Sequence, residues 1–111
     1  MELITRLEEA ILIAILGLED DAYGVTINRE VSRMFHKRYT MGALYFALDQ
    51  LAKKELVERT IGNPTPERGG RSKTYYRLTL EGREALEAVR RHQESLWSIL
   101  SRIRPAEGKL K

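Results

Sequence analysis

The chain has no cysteine among its 111 residues, which excludes disulfides, thiolate metal sites and cysteine nucleophiles and fits a reducing compartment, the cytoplasm being the expected address. Long apolar runs are also missing. The run Ile11 to Leu16 is far short of the ~20 residues that span a bilayer, and the acidic Glu2, Glu8 and Glu9 ahead of it are the opposite of a basic signal-peptide start. Neither a membrane segment nor a targeting segment is expected.

Groups that do chemistry are scarce. The two histidines, His36 and His92, are flanked by basic residues and lie near no carboxylate pair at metal-ligand spacing. Asp20-Asp21 have no third ligand nearby and read as a helix-start cluster. Gly69-Gly70 sit in a hairpin and not before a helix, so they form no phosphate cradle. No catalytic apparatus, metal site or cofactor site is read, and an enzyme is the weaker reading and is not expected.

What remains is ordinary for one globular domain, with 42% apolar and 32% charged residues. The net charge of +3 gains meaning only when divided along the chain. Residues 1–22 carry one basic side chain, Arg6, against six acidic ones, a net of −5, whereas residues 28–77 carry eleven basic against five acidic, a net of +6. Such a segment is either a solvated mixed surface or a phosphate-facing patch.

The periodicities predict four helices and one hairpin. From Leu3 to Leu18 the first helix is apolar nearly all round and needs cover on two sides. The second sets Tyr23, Ile27, Val31 and Phe35 at intervals of four, with Met34 beside them, and shows Asn28, Arg29, Ser32 and Arg33 on its other face. Gly24 is read either as a close-packing position against the first helix or as a turn glycine. A third helix, capped by Thr40, runs to about Lys54 and points Leu44, Leu48 and Leu51 inward. That leaves Met41, Gly42, Tyr45, Asp49 and Lys53 outward, with Phe46 and Gln50 at the margin. Tyr45 would either pack at the core edge or donate its hydroxyl to a phosphate.

Val57 to Ile61 alternates as a strand, residues 62–70 break regular structure, and Arg71 to Leu78 returns as a second strand. The long tip carries Arg68 and Arg71, with Lys73 following, and is either solvated or set to reach phosphates. The last helix, capped by Thr79, runs from Leu80 to about Arg104, before Pro105. It keeps Leu86, Val89, Gln93, Leu96, Leu100 and Ile103 on a heptad seam. Nothing obvious is left in the chain to cover that seam, so it and the first helix are expected to meet their copies in a homodimer, the alternative being that the two helices pack only on each other within one chain.

A helix able to enter a groove, followed by a basic hairpin, is the layout of a winged helix-turn-helix, and it points toward duplex DNA. The fold class expected is mainly α with a small β-hairpin. Residues 1–79 would form the DNA-binding domain, 80–104 the dimerisation helix and 105–111 a frayed tail. A protein-interaction module on the same fold is the alternative.

Nearly the whole chain resembles the PadR family of winged-helix transcription regulators, in its short subgroup with one C-terminal helix. The resemblance is carried by Leu16-Gly17-Leu18, Tyr23-Gly24, Gly42-Ala43-Leu44-Tyr45 with Leu48 and Leu51, and Tyr75-Tyr76-Arg77-Leu78-Thr79 with Gly82 and Leu86. It implies a cytoplasmic homodimer that represses from a two-fold-related operator. Thr40, Gly42 and Tyr45 match DNA-facing positions, and Arg68, Arg71 and Lys73 fall in the wing. Met41, Tyr45 and Asp49 are the candidates for base contact. Some members hold planar aromatic compounds between the dimer halves, so Trp97 would either stack on such an effector or wedge into the dimer core. The chain departs from the family at Glu55, where a glycine commonly closes the helix, and at the bulky Phe46.

Overall fold

A computed structural model describes residues 4–62 and 72–103. Helix α1, Arg6–Leu18, starts three residues later than the apolar pattern predicts, because Thr5 and Glu8 form a capping box. The Glu8 amide donates to Thr5 Oγ1 at 3.0 Å, and the Thr5 amide donates to Glu8 Oε1 at 2.9 Å. One face of α1 buries Ala10, Ile11, Leu12, Ala14 and Ile15, while Ile13 and Leu16 stay exposed. The single chain therefore covers this helix on one side only.

Asp20-Asp21 form no helix cap. They lie in a 3-10 turn, Glu19–Asp21, and helix α2, Gly24–Phe35, begins after Tyr23. Thr26 locks that start, accepting from the Tyr23 amide at 3.0 Å and donating to the Asp21 carbonyl at 2.5 Å. Ile27 and Val31 are fully buried and Phe35 packs at the core edge. Met34 departs from the expected stripe and is exposed.

Helix α3 spans Met41–Lys53 and buries Leu44, Leu48 and Leu51 completely. It closes through a left-handed residue at Glu55, φ 63°. The Leu56 amide donates to the Leu51 carbonyl and the Glu55 amide to the Ala52 carbonyl, each at 3.0 Å, which is the pattern of a Schellman termination. Glu55 thus adopts the backbone of the glycine it replaces, so the departure noted in the sequence leaves this turn intact.

Strands β1, Val57–Ile61, and β2, Thr74–Leu78, pair antiparallel from Val57↔Leu78 to Ile61↔Thr74. The expected start of the second strand at Arg71 lies outside the described residues, and Ser72 and Lys73 are not in the strand. Alternation sends Tyr76 and Leu78 into the core. A bridge between Tyr23 and Tyr75, and a 2.9 Å bond from the Tyr76 amide to the Ala22 carbonyl, fasten the hairpin to the segment before α2.

Helix α4, Leu80–Arg102, ends two residues short of the predicted Arg104 and is capped by Thr79, whose Oγ1 accepts from the Gly82 amide at 3.0 Å. Its first turns seat Gly82 and Ala85 in the body, and every residue from Arg90 to Ile99 is exposed. The radius of gyration is accordingly 17.4 Å, against about 13 Å for a compact chain of this length. Among the described residues, no helix is long and apolar enough to cross a membrane.

Candidate nucleic-acid interface

Positioning of α3 begins in α2. His36 takes the left-handed conformation, φ 52°, and closes α2 as the Lys37 amide reaches back to the Ser32 carbonyl at 3.0 Å. Asn28 and Ser32, read from sequence as an open polar face, hold the turn that follows. Asn28 Nδ2 donates to the Tyr39 carbonyl at 2.9 Å, Ser32 Oγ donates to Asn28 Oδ1 at 3.2 Å, and the Tyr39 amide donates to Ser32 Oγ at 3.2 Å. Thr40 then caps α3, accepting from the Ala43 amide at 3.0 Å. Two helices joined by a short hydrogen-bonded turn result, with the second free along its outer side.

That outer side carries Met41, Gly42, Tyr45, Asp49 and Lys53, all exposed as expected. Phe46 is not at the margin. At 67% exposure it is more open than Tyr45 at 43%. Tyr45 instead leans toward α2. A Cβ built on Gly24 would fall 2.8 Å from Tyr45 Cζ, closer still to its hydroxyl, and 3.2 Å from Met41 Cε. The close approach at Gly24 is therefore made by α3 and not by α1.

Asp49 is ion-paired with Arg59 of β1 at 3.1 Å, both side chains about half exposed. Arg59 faces Tyr76 across the hairpin. Burial pushes the Tyr76 phenol above its ordinary pKa; Arg59 opposes this, while Tyr45 and Asp49 add to it. Helix α3 and the hairpin thus meet over a shared cluster of Tyr45, Asp49, Arg59 and Tyr76, which fixes the wing relative to the helix.

Cations flank the helix. Arg29, Arg33, Lys37 and Arg38 line a shallow groove on α2 and the following turn, with Arg33 3.4 Å from Glu30. Lys73 sits at the base of the wing, its Nζ 3.4 Å over the Tyr23 ring, and Tyr23 meets Tyr75 edge to face at 5.6 Å. Arg68 and Arg71 lie outside the described residues. On α4, Leu86 packs against the core and Val89 is half-buried, while Gln93, Leu96, Trp97 and Ile99 are open, as is Ile103 just after the helix, with Leu100 partly covered.

Sequence reasoning passed over Phe46, Arg59 and the groove on α2 as site residues. Phe46 could have been found: it stands two residues from both Leu44 and Leu48, hence about 160° from each around the helix. Arg59 could not, because its partner Asp49 lies across a tertiary contact.

Three helices with the third exposed beside an antiparallel hairpin define a winged helix-turn-helix. Residues 12–88 match the Transcriptional regulator PadR-like family, and the chain belongs to that family. A PadR-like transcription factor from Bacteroides fragilis is 25% identical, covers 88% of this chain and 89% of its own, and superposes with a TM-score of 0.71. RosR from H. salinarum is 30% identical over 94% of this chain and 82% of its own, with a TM-score of 0.59. A PadR-like transcriptional regulator from Bacillus cereus shares the fold at 24% identity, 86% and 87% coverage and a TM-score of 0.68. No curated protein matches the chain significantly. The protein is a transcriptional regulator and not an enzyme.

Proposed function

We propose that the protein is a sequence-specific DNA-binding repressor, acting in the cytoplasm as a homodimer on a two-fold-related operator. The observation that carries this reading is the uncovered outer face of α3, held at a fixed angle by the Asn28–Ser32–Tyr39 turn and flanked by cations on α2 and the hairpin. Helix α3 enters the major groove with Thr40, Met41, Gly42, Tyr45 and Asp49 at the DNA. Arg68, Arg71 and Lys73 serve the wing, and phosphate contacts supply most of the affinity.

Residues 1–79 form the DNA-binding domain in this reading and α4 the dimerisation helix; the tail expected over residues 105–111 lies outside the described residues. The open apolar side of α4, together with Ile13 and Leu16 on α1, supports burial against a second copy. Two recognition helices about a dyad would then read half-sites roughly 34 Å apart. Trp97 lies in that interface, where a planar aromatic effector held between the halves would release the operator. Neutralising Arg68 and Arg71 together tests the wing: the salt dependence of DNA binding should become shallower, and an unchanged slope removes the wing from the contact.

A further inference from the structure

The outer ridge of α3 carries one large exposed apolar side chain among small and charged ones. With about 100° per residue, Gly42, Phe46, Asp49 and Lys53 stand opposite the buried Leu44, Leu48 and Leu51. Phe46 is the most exposed large apolar residue on the helix. Of the polar groups near it, Asp49 has its carboxylate held by Arg59 at 3.1 Å, and the Tyr45 hydroxyl is turned toward Gly24.

Gly42 lies one turn before Phe46. A Cβ there would meet nothing within 4 Å, so internal packing does not ask for glycine, although glycine costs a helix interior stability relative to alanine. Helical side chains lean toward the N-terminus, over the residue four positions earlier. Phe46 therefore projects toward Gly42, a position without a side chain, where another surface can come close to the backbone.

Among the base edges of the major groove, the thymine C5-methyl is the apolar group, and phenylalanine is one of the side chains that meets it. We infer that Phe46 is a specificity-determining residue that reads thymine methyl groups in each half-site, with Gly42 leaving room for the groove to approach. This inference rests on the DNA-binding reading above and adds the chemistry of its base contact.

The test uses duplexes captured by the full-length protein from a randomised pool, resynthesised with deoxyuridine in place of each half-site thymidine. That exchange removes the methyl and keeps the base pairing. The captured half-sites should contain thymine, and wild-type affinity should fall about fourfold for each contacted methyl, the ratio that corresponds to ~0.8 kcal/mol per buried carbon group. Phe46→Ala should bind the thymidine duplex correspondingly less tightly and no longer distinguish the two duplexes, whereas Phe46→Leu should recover part of the discrimination. Specific binding that ignores the deoxyuridine exchange, or discrimination that survives Phe46→Ala, overturns the assignment. Capture of no duplex at all overturns the DNA-binding reading itself, and the inference falls with it.

Discussion

Tyr45 rests its hydroxyl against the backbone of Gly24, where a Cβ would lie 2.8 Å from Tyr45 Cζ. Glycine at the start of α2 is thus what lets the α3 tyrosine fold back onto the neighbouring helix. Gly24→Ala should push Tyr45 and Met41 aside, at an overpacking cost of about 1–3 kcal/mol that is partly offset by alanine's better helix propensity. Operator affinity should fall while far-ultraviolet circular dichroism keeps the helical signal. Unchanged affinity would show that the seat of Tyr45 is irrelevant to binding.

Glu8 and Lys54 join the start of α1 to the end of α3, with Lys54 Nζ at 3.0 Å from both carboxylate oxygens. The Glu8 side chain is 6% exposed and that of Lys54 24%. Removing one partner of a fully buried pair costs about 3–5 kcal/mol. Because Lys54 is partly solvated, roughly 1–3 kcal/mol is expected for Lys54→Met. Urea denaturation of Lys54→Met, Glu8→Gln and the double variant should give a favourable coupling of about 1–2 kcal/mol between the two sites. Additive effects would contradict a direct interaction.

Tyr76 gives the fold an alkaline limit. Its phenol is raised above 10.0 chiefly by burial, so above that pH the folded state binds more protons than the unfolded chain. The stability contributed by the neutral phenol is therefore fully present below pH 10 and is lost as pH rises through the folded-state value. The stability difference between wild type and Tyr76→Phe should be flat from pH 7 to 9 and shift in favour of Tyr76→Phe above pH 10. A difference that stays flat throughout would contradict burial of the hydroxyl.

Leu96 on α4 and Ile103 just after it are 52% and 53% exposed. Replacing both with aspartate leaves the core of one chain untouched but puts two charges into the proposed dimer seam. Light scattering after size exclusion should then report a mass near 12.8 kDa instead of twice that value, with the helical signal retained. Persistence of the dimer would place the interface elsewhere.

The internal periodicity of each element was legible in the sequence because Leu44, Leu48 and Leu51, or Ile27 and Val31, can share one face only if that face is buried. The caps at Thr40 and Thr79 were legible for the same local reason. What escaped reading depended on contacts between elements. The Glu8–Lys54 pair spans 46 positions, and the neighbour of Gly24 turned out to be α3 because the α2–α3 turn brings Tyr45 over it. Phe46 was misplaced for a different reason: three leucines define the buried direction of α3, and the side opposite their mean direction holds Phe46 and Gly42, with Tyr45 nearer the edge.

In the proposed function a dimer of this chain reads one DNA sequence through α3. A fluorescence-anisotropy titration against the duplex upstream of its own gene and a scrambled duplex, at two salt concentrations, tests it most directly. The expected result is preferential binding of the upstream duplex at two subunits per site, weakening steeply with salt. Absence of binding to either duplex at low salt would contradict it and favour a protein-interaction module on the same fold.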